Sequence, residues 1–284
     1  MKYLAPPRTI PAFLGFGALM LAPAAAEGAI NVSADPTKGT VTVTADPGSS
    51  DELTVTDHSC RGGCFPSSIS VTSETTSLVA GDGCIKLTYP DLSTQVQCGI
   101  AATLVTVDSG DGDDDVTLGG TSSFRPTYSV VLGDGNDAGR DYKTEDSTID
   151  GGAGDDEIDG LHAVLGGEGE DVIRGFELSG GDGDDELGPP AKFSRSDARN
   201  FGAFHGDEGN DVIRGSEKAP VDDLLFGDGG KDKLYGGAGR DKLDGGSGKD
   251  YCDGGPVGDK NKRKADIAVS CEKAVDVYVK PGKK

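Results

Sequence analysis

Tryptophan is absent from the 284 residues, methionine occurs twice and aromatic residues make up 6% of the chain. With apolar residues at only 35%, the sequence excludes a domain built around a thick aromatic core. Positive charge is scarce as well: 27 Lys and Arg stand against 49 Asp and Glu, for a formal net charge of -22. That balance argues against nucleic acid as a partner, because no counter-charge is available for phosphates. It also means that the compact state must overcome self-repulsion unless cations neutralise part of it. Long apolar runs are missing beyond the first segment, so nothing after it has the roughly 20 apolar residues that a membrane span requires.

That first segment, MKYLAPPRTIPAFLGFGALMLAPAAAEG, carries Lys2 and Arg8, an apolar run from Ile10 to Leu21 and A-x-A sites ending at Ala24 or Ala26. It reads as a secretory signal peptide over residues 1–26, cut near Glu27. A membrane anchor is the competing reading, but Pro11 and Pro23 bracket too short a run. The exported part then holds Cys60, Cys64, Cys84, Cys98, Cys252 and Cys271, an even number in an oxidising compartment, which predicts disulfides. Sequence does not choose among the connectivities, though local pairing of 60 with 64, 84 with 98 and 252 with 271 has the lowest closure cost. A zinc site at C-x3-C lacks histidines at ligand spacing.

What the chain does have is glycine, 46 of them, and self-similarity. The pattern G-G-x-G-x-D-x-U-x, with U a large apolar residue, fits GGAGDDEID from 151, GGEGEDVIR from 166, GGDGDDELG from 180, GGAGRDKLD from 236 and GGSGKDYCD from 245. Variants begin at 109, 206 and 227, and a worn copy, LGDGNDAGR, begins at Leu132. The glycines, among them Gly151, Gly152, Gly154, Gly166, Gly167, Gly169, Gly180, Gly181, Gly183, Gly206, Gly209, Gly227, Gly236 and Gly245, permit tight turns with carbonyl oxygens aimed inward. The sixth position adds a carboxylate: Asp114, Asp137, Asp156, Asp171, Asp185, Asp211, Asp232, Asp241 and Asp250. Carbonyls plus carboxylates suit a hard cation of flexible geometry, Ca²⁺ rather than Mg²⁺ or zinc. The final x-U-x is a minimal strand with U facing inward.

These residues resemble the hemolysin-type, or RTX, calcium-binding repeats. The resemblance spans roughly residues 109–253 and implies an all-β fold: a parallel β-roll, a right-handed coil of turn and strand with Ca²⁺ held between successive turns on one edge. In regular members the turns alternate between two edges. Here loop starts at 109, 133, 151, 166, 180, 206, 227 and 245 are separated by 24, 18, 15, 14, 26, 21 and 18 residues, close to a full coil each. The expectation is a one-sided array, with the opposite edge closed by ordinary turns at Gly160 to His162 and at Gly175, and with only the loop at 236 on that edge. Composition alone would favour a disordered acidic segment; regularly placed Val, Ile and Leu argue for order once cation is bound, when binding energy becomes folding energy. An EF-hand reading of the run from Asp111 fails, since Val116 sits where glycine is needed and Ser122 where the bidentate Glu belongs.

The flanks differ in character. Residues 27–107 alternate apolar and polar between Pro and Gly turns, predicting a disulfide-stapled β-rich section that leads into the roll at 108–253 and covers its first edge. A separate ligand-binding domain is the alternative. Residues 254–284 are expected to cap the coil, with Cys252 at an inward position and bonded to Cys271. The basic cluster Lys260, Lys262, Arg263 and Lys264 is a solvated loop or a contact for an anionic surface polymer. The insertion from Gly188 to Phe204 brings Lys192, Phe193, Arg195, Arg199, Phe201 and Phe204, a loop whose aromatics tuck onto the solenoid or a recognition element.

Catalytic signatures are wanting. None of His58, His162 and His205 lies in H-E-x-x-H, Lys249 replaces the last glycine of G-x-S-x-G around Ser247, and neither Walker A nor G-x-G-x-x-G occurs. A carboxylate-pair hydrolase escapes motif reading, because carboxyl separation belongs to the fold. The chain is expected to be no enzyme but a secreted, several-Ca²⁺ structural or surface-interaction protein, with calcium ions and an unidentified surface polymer or protein as partners, no nucleic acid and no membrane span. The alternative is a non-catalytic remnant or accessory of a secreted RTX hydrolase.

Overall fold

The computed structural model describes residues 28–58, 67–90, 93–120, 126–141, 147–191, 202–217, 220–255 and 266–279. The signal segment, Cys60 and Cys64, most of the 188–204 insertion and the basic cluster at 260–264 lie outside the described residues. Every described element is a strand or a turn, as the glycine-punctuated alternation predicts. No helix among them is long and apolar enough to cross a membrane.

The described residues form two sheets, one of 15 strands (sheet I) and one of 13 (sheet II). From Leu104–Asp108 onward the chain alternates between them, and each strand pairs in parallel with the strand one coil later. In sheet I, Ser147–Ala153 is followed by Ala163–Glu168, Glu177–Asp182, Ala203–Gly209, Leu224–Phe226 and Lys242–Asp244. In sheet II, Glu157–Asp159 is followed by Val172–Arg174, Glu186–Gly188, Val212–Arg214, Lys233–Tyr235 and Tyr251–Asp253. This is a parallel β-roll.

The core is a double file. Ile149, Val164, Leu178, Phe204, Leu225 and Leu243 stack in sheet I and Ile158, Ile173, Leu187, Ile213, Leu234 and Cys252 in sheet II, all at most 2% exposed. A strand of three residues turns one side chain inward, so each coil buries two large apolar groups, each contributing about 1.5–3 kcal/mol. Phe204 therefore belongs to the core itself, not to an aromatic loop laid on the solenoid.

The N-terminal strands enter the same two sheets. Thr40–Ala45 pairs with Leu104–Asp108 and Glu52–His58 with Asp115–Gly120, both in parallel. Antiparallel partners lie beyond them: Ala29–Asp35 on one, Ser68–Ser73 on the other, then Thr94–Cys98 and Cys84–Thr88. Cys84 and Cys98 face each other across that last pair and are bonded. At the other end Ile267–Val269 and Lys273–Val275 add one more coil, and Cys252 of the core is bonded to Cys271 in the turn between them.

Candidate functional site

All glycine loops starting at 109, 132, 151, 166, 180, 206, 227 and 245 join a sheet I strand to the following sheet II strand, so they stack on one edge. The opposite edge carries short turns at 160–162 and 175–176 in the coils between. The one-sided array expected from the intervals is what the strand order contains. Register agrees with the worn copy read from Leu132 and moves only the loop start counted at 133: Gly133 pairs with Gly152, so Asp137 lies 23 residues after Asp114 and 19 before Asp156. Gly139 takes the inward place that an apolar residue fills elsewhere; a methyl there would lie 3.2 Å from Ile149, Ile158 and Leu132.

Loops stack so closely that backbone meets backbone. Gly167, with φ at 125°, would place a Cβ 1.9 Å from the carbonyl oxygen of Gly152, and Gly183 one 1.8 Å from that of Gly169. No side chain fits at Gly167 or Gly183, the physical reason for the second and fourth glycines of these loops; Asp207 and Asp228 replace the second glycine in two later ones. The first glycine has another reason. A Cβ on Gly151 would lie 2.1 Å from Asp156 Oδ2 and 2.4 Å from the carbonyl oxygen of Gly166; the same pair of oxygens crowds Gly166, Gly180, Gly206 and Gly227. Ser109 and Leu132 hold this position in the first two loops, and both are buried.

The sixth-position carboxylates form a continuous ladder. The amide of Asp114 donates to Asp137 Oδ1 at 2.7 Å, Asp137 to Asp156 at 2.8 Å, Asp156 to Asp171 at 2.8 Å, Asp171 to Asp185 at 2.9 Å, Asp185 to Asp211 at 2.9 Å, Asp211 to Asp232 at 3.0 Å and Asp232 to Asp250 at 3.1 Å. Eight of the nine predicted aspartates stand in this column and are at most 3% exposed. Each gives one oxygen to the backbone; the other, Oδ2, is buried without a hydrogen-bond partner. Burial raises their pKa values, with neighbouring carboxylates adding to the shift in most: Asp114, Asp156, Asp185 and Asp211 are pushed up to about 7 and Asp232 to about 6. A row of orphaned carboxylate oxygens beside carbonyl oxygens is costly by itself and is what a hard divalent cation would satisfy. The donor set fits calcium.

Asp241, the ninth, lies on the opposite edge, but it has company that the nine-residue pattern does not single out. The amide of Ser216 donates to Asp223 Oδ2 at 2.8 Å, that of Asp223 to Asp241 Oδ1 at 2.9 Å and that of Asp241 to Asp266 Oδ1 at 2.9 Å. Gly215, Gly236 and Gly254 stand beside these carboxylates as first-position glycines do on the main edge. Asp223 Oδ1 and Asp241 Oδ2 are buried and unpartnered, and burial pushes the two groups up to about 6 and about 8. The loop at 236 is thus the middle of a three-rung second column, and the coil continues past Gly254. The legible signal is the half-motif D-x-U-x: Asp223-Leu224-Leu225-Phe226 and Asp266-Ile267-Ala268-Val269.

The ends of the main column are likewise built from outside the pattern. Asp51 heads it, its amide donating to Asp114 Oδ1 at 2.7 Å and its own carboxylate held by Ser49 and Thr76. Glu272 closes it, accepting from the Asp250 amide at 2.6 Å. The fifth position, a free x in the pattern, makes an exposed parallel ladder in which Asp113, Asn136 and Asp155 each accept from the next coil's amide at 2.9–3.0 Å.

No curated protein and no solved structure matches the chain. The family description "RTX calcium-binding nonapeptide repeat" matches in four copies, over residues 144–161, 204–218 and 222–259. The matched stretches include loops of both columns. By its glycine stacks, its buried aspartate ladder and this match, the chain carries hemolysin-type RTX repeats that form a calcium-binding structural module.

Proposed function

We propose that this chain is a secreted structural protein that folds its repeat coils around several Ca²⁺ ions once outside the cytoplasm, and that it has no catalytic activity of its own. The observation that carries this reading is the row of buried Oδ2 atoms without partners, at Asp114, Asp137, Asp156, Asp171, Asp185, Asp211, Asp232, Asp241 and Asp250. In the consensus loops such an oxygen stands beside a carbonyl of the adjoining loop, as Asp156 Oδ2 and the Gly166 carbonyl both crowd the Cβ position of Gly151, an all-oxygen set suited to Ca²⁺. Extracellular modules of this kind bind at about 10⁻⁴ to 10⁻³ M, so the coils remain loose in a calcium-poor cytoplasm and harden on export.

Secretion is supported by the N-terminal segment and by the Cys84–Cys98 and Cys252–Cys271 bonds, which require an oxidising compartment. The outer faces of the roll, lined by pairs such as Arg214 with Glu186 and Arg240 with Asp222, are the surface offered to a polymer or protein partner. The decisive experiment is a calcium titration of the full mature chain read by circular dichroism and calorimetry. Gain of β-structure and a rising Tm up to several mM Ca²⁺ supports the reading; no response in that range overturns it. Sequencing the N-terminus of protein recovered from the medium tests export, with a first residue near Glu27 expected.

A further inference from the structure

One group of side chains outside both aspartate columns has ligand chemistry of another kind. His205 and Asp207 lie two residues apart on Ala203–Gly209, while Phe204 and Gly206 between and before them are buried, so the pair stands on the outer face of sheet I. In the next coil Phe226 pairs with His205 and Gly229 with Glu208, which sets Asp228 beside Asp207. One ligand atom from each of His205, Asp207 and Asp228 lies within 4.8 Å of the others. His205 Nδ1 is 2.7 Å from Asp228 Oδ2. The imidazole lies flat on Phe226, centroids 4.6 Å apart and planes 5° from parallel, and Lys242 Nζ is 4.5 Å from the same phenyl centroid. Ser179 Oγ donates to Asp207 Oδ2 at 2.5 Å.

Both aspartates are departures from the chain's own repeat. The second loop position is glycine with positive φ at Gly152, Gly167, Gly181 and Gly246; Asp207 and Asp228 keep that left-handed backbone, at φ 67° and 64°, while carrying a carboxylate. Placing side chains there costs conformational energy, and the two consecutive loops that do so flank the one histidine on this face that reaches them. The interior ladder uses neither group: its members in these loops are Asp211 and Asp232.

We propose that His205, Asp207 and Asp228 bind one divalent transition-metal ion of the zinc class on the outer face of sheet I, separately from calcium. One imidazole nitrogen and two carboxylate oxygens make a three-ligand set that leaves a fourth position to water, a donor set suited to zinc and its neighbours. Calcium prefers oxygen alone and more of it. Bonds of about 2.0–2.1 Å put tetrahedral ligand atoms roughly 3.3 Å apart, so the His205–Asp228 contact opens slightly and the other separations close by side-chain rotation. The Phe226 stack fixes the imidazole plane and Ser179 orients the Asp207 carboxylate, the supports that a ligand set requires.

The test uses the full oxidised chain saturated with mM Ca²⁺ and stripped of other metals. Titration with Zn²⁺ by calorimetry is expected to yield one equivalent, and Co²⁺ a visible d–d absorption band. His205→Gln, Asp207→Gly and Asp228→Gly should each weaken Zn²⁺ binding by about a hundred-fold or more. The two glycine substitutions restore the residue that suits this backbone, so their Tm in Ca²⁺ is expected to be unchanged or higher, which keeps loss of zinc distinct from loss of fold. The proposal is overturned if no stoichiometric Zn²⁺ binds, leaving His205–Asp228 as an ion pair only. It is also overturned if binding survives in all three variants, or if mM Ca²⁺ displaces the zinc, which would put it in the ladder.

Discussion

The strands before residue 109 and the coils after it share two sheets but are held together by different means. Ala29–Asp35 buries Ile30, Val32 and Ala34, and Thr40–Ala45 buries Val41, Val43 and Ala45, three inward side chains per strand. Glu157–Asp159, Val172–Arg174 and Glu186–Gly188 bury one each, Ile158, Ile173 and Leu187, and every coil also buries a carboxylate. Ordering each residue costs conformational entropy, and one inward side chain in three residues offsets less of that cost per residue than three in six or seven. The first region buries more apolar side chains per residue, and on the proposed reading the second makes up the difference with its cation.

The largest effect should come from removing that cation. With excess chelator, amides of residues 147–253 are expected to lose hydrogen-exchange protection while those of Thr40–Ala45 and Glu52–His58 retain it; uniform loss across both regions would erase the distinction. Next in size is a pH effect confined to the coils. Seven ladder and column aspartates have folded values raised to between about 6 and about 8. Raised values mean that the calcium-free fold holds protons that the unfolded chain has released, so its stability falls as pH rises from about 4 through 8. Calcium replaces those protons. The Tm in chelator should therefore be higher at pH 5 than at pH 8, and the gain from Ca²⁺ larger at pH 8; the reverse order at either step refutes the assignment.

Smaller effects sharpen the contrast rung by rung. Replacing both Cys252 and Cys271 by Ala should cost about 3 kcal/mol for a loop of this length and fray only the final coil, seen as early exchange at residues 266–279. Asp185→Asn, in the middle of the main column, should raise the calcium midpoint about ten-fold, since affinity follows ligand charge. The same change at Asp223, the first rung of the short column, should shift it less, because fewer loops depend on it. Calorimetric titration of the two variants side by side decides the order.

Much of this was legible in the chain. Periodic Val, Ile and Leu marked the inward positions, and Asp156, Asp171 and Asp185 fell in one column because each lies a full coil from the next. Intervals of 14–26 residues placed the loops on one edge before any strand was paired. Other features were not legible, for a common reason. Asp51 and Asp114 are 63 residues apart, Asp241 and Asp266 are 25 apart, and Glu272 carries no repeat around it, yet each pair is joined through one hydrogen bond. Insertions of variable length hide such neighbours from a pattern of fixed period. The worn copy at Leu132 shows the same limit on a smaller scale: an interval counted from its first glycine, Gly133, runs one residue late, and the Gly133–Gly152 pairing sets the frame.

By itself, the sequence determined the chemistry: glycine where backbones touch, carboxylate at the sixth place of each nine-residue unit, one apolar residue per short strand, a large excess of negative charge and a cysteine at the inward position of the last consensus repeat. Only the tertiary structure decided which of these meet. Parallel stacking carries residues of successive coils into contact whatever number of residues separates them, and so it alone joined Asp223 and Asp266 to Asp241 in a second column and brought His205, Asp207 and Asp228 to a single point on the outer face.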